Sequence, residues 1–354
     1  MHHQTNLESR SPPCMVADLI ARVTCTTKEH ATSKPAANST VHMEATEVAE
    51  FILLGFGDLP KLRILLFLLF FVIYLVTMAG NLLILVLVVA DRHLHTPMYF
   101  FLGNLSLLES CNSSNLLPKV LLNLLTGEKS IPVKACFVQF FICVSLVGAE
   151  CYLLGVMSYD RYLAICKPLH YTTLMNGRLS FQLAVVSWAS GALLGTNLIF
   201  QLSQLSFCGP NEIDQYFCDI VPEIRYLSCS DTHLIELSQF ISSSVFTFPP
   251  FVLTVASYVF IIVTILRIPS TTGREKAFST CSSHLTVVAL FYGSLMFLYV
   301  IPQSRNLRHM KKVFSLSYTV LTPMVNPLIY SLRNREVKEA MRQSLKRLVM
   351  CMAC

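Results

Sequence analysis

The stretch Met157-Ser158-Tyr159-Asp160-Arg161-Tyr162-Leu163-Ala164-Ile165-Cys166-Lys167-Pro168-Leu169-His170-Tyr171 lies at the end of a long apolar run. It places an Asp-Arg-Tyr triplet where that run meets a basic loop. An arginine at the centre of a bilayer helix costs roughly 2.5–3.5 kcal/mol on insertion scales, so we expect Arg161 to lie at the membrane interface. There Asp160 can pair with it until another partner replaces the pairing. The triplet alone is weak evidence, because helix ends that face the cytoplasm tend to carry arginine.

The composition places the chain in the membrane class. Hydrophobic residues make up 53% of the 354 residues, charged residues only 14%, and the mean hydropathy is +0.56. Soluble domains carry about 25% charged residues. The net charge of +6 is modest and comes from basic loops, so it does not indicate a nucleic-acid partner.

Seven apolar runs approach the ~20 residues that cross a bilayer. The first contains no charged residue between Ile64 and Ala90, whereas the second and third contain Glu109 and Glu150. Because these carboxyl groups weaken the hydropathy of two runs, the pattern determines the number of spans only to within about one. The predicted spans are approximately 64–90, 98–122, 134–160, 180–202, 237–265, 279–301 and 313–332.

The distribution of basic residues predicts the orientation. The loops and tail on one side hold 13 basic residues and the opposite loops hold 7. Because cytoplasmic loops carry the excess of lysine and arginine, we expect a cytoplasmic C-terminus and an exterior N-terminus. Four cysteines then lie on the oxidising side, where they can pair in any of three ways: Cys136, Cys208, Cys218 and Cys229. Zinc is disfavoured, because the histidines and cysteines lack ligand spacing.

Further motifs carry a resemblance that extends from about Glu50 to Val349. The chain resembles the olfactory receptors of the rhodopsin-like G-protein-coupled receptor family, in the tetrapod-type (class II) branch. The motifs are Glu50 to Phe56, Gly80-Asn81, Pro97 to Ser106, the Met157 to Tyr171 stretch, Ser257-Tyr258, Lys276 to Leu285 and Pro323 to Asn334.

The resemblance implies an all-α fold, a seven-helix rhodopsin-like bundle with a short amphipathic C-terminal helix, and no enzymatic activity. We expect an extracellular segment over 1–63, with 1–42 disordered, then the receptor domain over 64–332 and a cytoplasmic helix and tail over 333–354. The implied disulfides are Cys136–Cys218 and Cys208–Cys229. The first would join the third span to the long outer loop and cap a ligand pocket.

The ligand is predicted from the charges that are absent. Apart from Lys134 at the outer edge of the third span, the outer halves of the third, fifth, sixth and seventh spans contain no acidic or basic residue, so a small, neutral, largely apolar ligand is expected. Lining residues are carried over by position, although each could instead be a packing residue between helices. They are Cys143, Val144, Val147, Gly148, Ser243, Phe246, Thr247, Tyr292, Leu295, Tyr299, Leu316 and Thr319.

At the cytoplasmic end, the resemblance implies a crevice that admits a helix of a G protein. Pro327 lacks an amide proton and should kink the seventh helix at Pro323, with Asn326 able to bond the freed backbone. The residues expected in the switch and in coupling are Asp160, Arg161, Tyr162, Tyr258, Lys276, Asn326, Pro327 and Tyr330.

Glu109 and Glu150 are carboxyl groups inside apolar spans, where ionisable groups usually face the bundle interior. The resemblance implies that they form a sodium site below the ligand pocket. A protonated, hydrogen-bonded pair is the alternative. No nucleophile or metal cluster accompanies them, so no catalytic residue is expected.

The implied partners are a neutral volatile odorant, membrane lipids and the olfactory stimulatory G protein, which raises cyclic AMP. We expect the plasma membrane of olfactory cilia. We expect the polar extension 1–42 not to act as a signal peptide and to carry a glycosylation acceptor at Asn38, with Met43 as an alternative start. Cys351 and Cys354 are candidates for palmitoylation. Alternatives are a metabolite receptor outside the nose and, with less support, a transporter or channel.

Overall fold

The computed structural model describes residues 48–57, 60–208, 210–299, 308–333 and 337–342. Within these residues, seven long helical segments follow one another, each on one predicted span. They are α1 (Arg63–Ala90), α2 (Pro97–Thr126), α3 (Val133–Cys166), α4 (Gly177–Leu202), α5 (His233–Leu266), α6 (Thr271–Tyr299) and α7, which joins Arg308–Leu316, Ser317–Leu321 and Thr322–Arg333. The predicted seven-helix bundle is confirmed.

The helices differ in how apolar they are, because they differ in what they bury. In the described part of the chain, α1, α3, α4 and α5 are long and apolar enough to cross a membrane by length and composition, and α6 contributes the shorter run His284–Tyr299. Helix α2 is less apolar because its inward face buries Glu109, Asn112 and Ser113. Its polar groups therefore lie inside the bundle, away from lipid.

Lipid-facing surfaces are visible as exposed apolar side chains. On α1, Ile64 is 72% exposed and Val89 is 74% exposed, and on α5 Phe260 is 57% exposed. Such large apolar surfaces are not tolerated in water but match the hydrocarbon of a bilayer. Helices α1 and α5 thus lie on the outside of the bundle.

Helix α3 packs at the centre of the bundle, and two glycines let α4 approach it closely. A Cβ atom at Gly191 of α4 would lie 2.1 Å from the carbonyl oxygen of Ser145 on α3, and one at Gly148 would lie 3.0 Å from the Cα atom of Gly191. Small residues at such crossings allow backbone-to-backbone contact in membrane bundles. This contact fixes the wall that α3 and α4 present to the outer cavity.

Helix α7 is irregular at its middle. Residues Ser317–Leu321 form a π turn, and the Thr322 hydroxyl donates to the carbonyl oxygen of Ser317 at 2.9 Å. A π turn widens the helix and changes the angular positions of the side chains that follow. It lies beside the outer cavity, so it affects which residues of α7 reach a ligand.

The end of the bundle where α1 and α3 begin carries a small three-stranded sheet in the order β2-β1-β3, formed by β1 (Glu50–Leu53), β2 (Ser130–Pro132) and β3 (Glu212–Ile213). Strand β1 pairs antiparallel with β2, with Phe51 opposite Ile131, and parallel with β3, with Ile52 opposite Glu212. The segment before α1 and the long outer loop are therefore joined by backbone hydrogen bonds.

At the opposite end, residues 337–342 are helical, and Val337 and Ala340 are buried against the main core cluster. This agrees with a C-terminal amphipathic helix. Asn38, Met43, Cys351 and Cys354 lie outside the described residues, so glycosylation, the alternative start and palmitoylation stay predictions.

Candidate ligand cavity and cytoplasmic switch

A cavity of about 90 Å³ opens at the outer end of the bundle, between α3, α4, α5, α6 and α7. Eight of the twelve predicted lining residues lie on its wall: Cys143, Val144, Val147, Gly148, Ser243, Thr247, Leu295 and Tyr299. Most of the wall is apolar, as a site for a small apolar molecule requires. The hydroxyl groups of Ser243 and Thr247 add polar positions on α5.

The other four predicted residues point elsewhere. Phe246 packs against the cluster under the outer loop, and Leu316 packs against α1 and α2. Tyr292 donates its hydroxyl to the carbonyl oxygen of Cys151 at 2.7 Å. Thr319 bonds the hydroxyl of Tyr216 at 2.7 Å and donates to the carbonyl oxygen of Ser315. Their side chains hold helices and loop together around the cavity.

The structure adds lining residues that the sequence reasoning missed. Tyr318 is the α7 residue on the wall, in place of Leu316 and Thr319, because the π turn changes the face that α7 presents. Phe217 and Asp219 come from the long outer loop. The signal for these two was their position on either side of Cys218, whose disulfide brings the loop over α3.

Asp219 is the acidic residue on the cavity wall within the described residues. The sequence argument for a neutral ligand considered only the spans, and this carboxyl group enters from a loop. Asp219 is 1% exposed, and burial raises its pKa from 3.8 to about 7, opposed by nearby Lys311 and assisted by Glu223. Desolvation disfavours the charged form, so burial outweighs the attraction of the lysine.

The two disulfides implied by the resemblance are both present. Cys136 at the start of α3 is bonded to Cys218, with Cα atoms 5.4 Å apart, and Cys208 is bonded to Cys229, with Cα atoms 5.7 Å apart. The amide of Cys218 also donates to the side-chain oxygen of Gln139 at 3.0 Å. The loop segment over the cavity is therefore fixed to α3 by a covalent bond and a hydrogen bond.

Below the cavity, Glu109 of α2, Glu150 of α3 and Asn326 of α7 meet in the core. Asn326 donates its side-chain amide to Glu109, and the two carboxyl groups are close enough to interact electrostatically. Glu109 Oε2, Glu150 Oε1 and Asn326 Oδ1 have no hydrogen-bond partner among the described residues. Oxygen donors with negative charge suit a hard cation such as sodium, so the residues present fit that ion.

Asn326 does not bond the backbone freed by Pro327, contrary to the expectation. The carbonyl oxygen of Pro323, which lacks its helical donor because Pro327 has no amide proton, accepts a hydrogen bond from Asn81 Nδ2 of α1 at 3.0 Å. The side-chain amide of Asn326 instead donates a hydrogen bond to Glu109. Pro327 itself packs against Gly80, where an added Cβ atom would lie 3.0 Å from its ring.

Near the C-terminal end of α3, Arg161 is paired with its neighbour Asp160, with Nε 3.1 Å from Oδ2, and Arg161 is 17% exposed. Tyr171, on the short helix Pro168–Leu174, donates its hydroxyl to the other oxygen of Asp160 at 2.8 Å. Burial and the Asp160 carboxylate raise the pKa of Tyr171, so the phenol keeps the proton that it donates. The loop helix therefore supports the ion pair.

Helices α5 and α6 are joined by a hydrogen bond between the Tyr258 hydroxyl and His284 Nδ1. Tyr162 packs against the ring of Phe260 on α5. The backbones of Lys276 and Tyr330 lie on α6 and α7, while their side chains lie outside the described part of the structure. Their expected part in coupling, like the roles of the other switch residues, stays a prediction.

Seven helices, a cavity at one end, buried carboxyl groups at mid-depth and an Asp-Arg pair at the other end make up a seven-helix bundle of the rhodopsin type. Squid rhodopsin has the same fold, with a TM-score of 0.64 at 17% identity over 84% of this chain and 89% of the rhodopsin chain. That similarity bears on the fold alone.

Sequence comparison defines the family. The family model described as "Olfactory receptor" matches residues 70–347. Human olfactory receptor 2AP1 is 47% identical over 86% of this chain and 98% of its own length, and mouse olfactory receptor 5P53 is 48% identical over 85% and 97%. The chain belongs to the olfactory receptor family. It is therefore a multi-pass plasma-membrane receptor and not an enzyme.

Proposed function

We propose that the receptor binds small, neutral, largely apolar volatile molecules in the outer cavity and activates the stimulatory G protein of olfactory neurons, which raises cyclic AMP. The observation that carries this proposal is the apolar cavity of about 90 Å³ between α3, α4, α5, α6 and α7, of which α3 carries Arg161 near its C-terminal end. Its size suits a small volatile molecule. We further propose an exterior N-terminus, a cytoplasmic C-terminus and residence in cilia.

The proposed mechanism begins with contacts between the ligand and α6. Leu295, Met296 and Tyr299 of α6 line the cavity together with Tyr318 of α7. A ligand that prefers one position of these side chains shifts the population of helix arrangements toward that position. One helical turn below, the Tyr292 hydroxyl bonds the carbonyl oxygen of Cys151, so a movement of α6 acts on α3.

At the cytoplasmic end, movement of α6 would break the Tyr258–His284 hydrogen bond and open a crevice beside α3. Arg161 would then exchange Asp160 for the G protein. Tyr171 would remain with Asp160 through its 2.8 Å hydrogen bond and so would limit the cost of separating the pair. The exposed residues of the Pro168–Leu174 helix, such as Leu169 at 90% exposure, offer a further contact for the G protein.

We propose that a sodium ion bound by Glu109 and Glu150 stabilises the arrangement without ligand. These residues lie on α2 and α3, and Asn326 joins Glu109 to α7. A cation held between these groups favours the helix positions that bring them together. Ligand and cation would then act in opposite directions on the same equilibrium.

Cyclic AMP measured in cells that express the receptor during odorant screening tests the proposal. An Arg161→Ala variant at equal surface expression should give no response to an odorant that activates the wild type. Arg178→Ala, which removes an exposed arginine from the same face, should respond normally. Full signalling by Arg161→Ala would reject the switch, and the absence of any cyclic AMP response in the wild type would reject the proposed coupling.

A further inference from the structure

Asp219 lines the cavity, and its carboxyl group has an unused hydrogen-bond acceptor. Asp219 is 1% exposed, and its Oδ2 atom has no hydrogen-bond partner among the described residues. A buried polar atom without a partner is unfavourable, so most such atoms in proteins are satisfied by protein or solvent. An unsatisfied acceptor on a ligand cavity indicates that the ligand supplies the donor.

The position of this carboxyl group is fixed before any ligand binds. Asp219 follows Cys218, which is bonded to Cys136 of α3 and whose amide donates to Gln139 at 3.0 Å. The amide of Asp219 itself donates to the carbonyl oxygen of Phe217 at 2.9 Å. A rigid acceptor costs little entropy when a ligand bonds to it, which favours discrimination between head groups.

The nearby charged residues leave the Oδ2 atom of Asp219 without a hydrogen-bond partner. Lys311 attracts the ionised carboxyl group and Glu223 repels it, and both of these residues have other interactions. The pKa of Asp219 is still raised to about 7, so the attraction of Lys311 does not offset the cost of burying the charged carboxyl group. Elsewhere on the wall, the Tyr299 hydroxyl is hydrogen-bonded to Tyr318.

We propose that Asp219 Oδ2 accepts a hydrogen bond from the head group of the ligand, so that the cavity prefers apolar molecules with an O–H or N–H donor. The preferred neutral class is the alcohols. Amines, which are protonated near neutral pH, extend the preference beyond the neutral ligands of the proposed function, because an ammonium group also donates. The disfavoured classes are aldehydes, ethers and esters, whose head groups only accept. This inference rests on the proposed function, because it takes the cavity to be the ligand site.

Ligand binding by the purified full-length receptor tests the inference without signalling. The probes are pentan-1-ol, pentylamine, pentanal and butyl methyl ether, which have equal numbers of heavy atoms. The measurement is the dependence of the melting temperature on probe concentration at about pH 8.5, above the raised pKa of Asp219, where the carboxyl group is ionised and only accepts hydrogen bonds. Pentanol and pentylamine should bind the wild type on the order of 10-fold more tightly than the other two probes, since an acceptor-only head group leaves Oδ2 unpaired.

Variants at Asp219 identify the acceptor and distinguish the two donors. Asp219→Ala should lose the preference while keeping its affinity for pentanal and the ether. Asp219→Asn cannot carry charge and offers an N–H donor beside its acceptor, so it should lose any advantage of pentylamine and reduce the preference for pentanol over pentanal and the ether. Glu212→Gln, which changes an exposed acidic residue of the same loop, should behave like the wild type.

Equal affinity for all four probes in the wild type, absence of binding by every probe, or an equal loss of affinity for all four in Asp219→Ala would overturn the inference. Cyclic AMP readings with the same probes keep it separate from the proposed function. If the probes bind with the expected preference but raise no cyclic AMP, the donor preference stands and the proposed coupling fails.

Discussion

The side-chain amide of Asn81 on α1 donates a hydrogen bond to the backbone carbonyl oxygen of Pro323 on α7, at 3.0 Å. The same nitrogen lies 3.0 Å from the carbonyl oxygen of Thr77. Asn81 is 1% exposed, so water does not replace this donor. One side chain of α1 thus satisfies the carbonyl that Pro327 leaves without its helical partner, and the irregular α7 is stabilised from a neighbouring helix.

We predict that Asn81→Ala destabilises the receptor by about 1–3 kcal/mol, because it leaves a buried carbonyl oxygen without a donor. The measurement is thermal unfolding of the purified receptor in detergent. Asn197→Ala is the matched control. It removes the hydrogen bond from Asn197 to the hydroxyl of Ser242, but that hydroxyl keeps Gln201 as a partner. Equal stability of Asn81→Ala and the wild type would show that α7 does not depend on this bond.

Gly191 should tolerate no side chain. A Cβ atom there would lie 2.1 Å from the Ser145 carbonyl oxygen and 2.5 Å from the Ala149 amide nitrogen, so α3 and α4 would have to separate. We predict that Gly191→Ala abolishes surface expression. The matched control is Gly293→Ala on α6, where no atom lies within 4 Å of the added Cβ atom.

Alanine is favoured over glycine in helices by about 1 kcal/mol, so the control should express at least as well as the wild type. Flow cytometry of intact cells with an extracellular tag compares the three proteins. Normal expression of Gly191→Ala would contradict the close α3–α4 contact.

The bundle was predictable from the sequence because each span is a local signal. Apolar runs such as Ile64 to Ala90 depend only on neighbouring residues, and the basic loops predict the orientation by their composition. The disulfide partners followed from the resemblance, whereas the residues alone left three pairings open. Part of the cavity was predictable by position, because regular helices keep the same faces inward.

The features that the sequence did not predict depend on contacts between distant segments. The partner of the Pro323 carbonyl lies 242 residues away, on α1, and a local reading favoured Asn326. The π turn at Ser317–Leu321 changes the face of α7 without a glycine or proline within it. Asp219 reaches the cavity only because a disulfide brings its loop over α3.

The raised pKa of Asp219 gives a pH dependence of stability with a defined sign. The folded receptor holds this proton up to about pH 7, whereas an unfolded chain releases it near 3.8. Between these values the folded state binds more protons, so this contribution to the free energy of unfolding falls as the pH rises. Lys311 reduces the effect and Glu223 increases it.

We predict that the difference in melting temperature between the wild type and Asp219→Asn changes steadily as the pH is raised from about 4.5 to 7.5, with the wild type losing stability relative to the variant. Other titrating groups are common to both proteins and cancel in the difference. Glu212→Gln should run parallel to the wild type. A constant difference between wild type and Asp219→Asn would mean that the carboxyl group is not desolvated.

Sodium should stabilise the receptor through Glu109 and Glu150. Because a ligand of the folded state raises stability by mass action, we predict a gain of roughly 1 kcal/mol at a sodium concentration of about five times Kd. The measurement is the melting temperature of the purified receptor in sodium chloride and in choline chloride of equal ionic strength. Choline is too large for a site between three helices and controls for ionic screening.

Glu150→Gln removes one of the two carboxyl groups that the ion needs, so the difference between the two salts should vanish in this variant. Glu128→Gln, at an exposed position of the outer loop, should keep it. If the wild type is equally stable in both salts, Glu109 and Glu150 are instead a protonated pair that shares hydrogen bonds with Asn326. In that case Glu150→Gln should retain wild-type stability, since an amide can replace a protonated carboxyl group as both donor and acceptor.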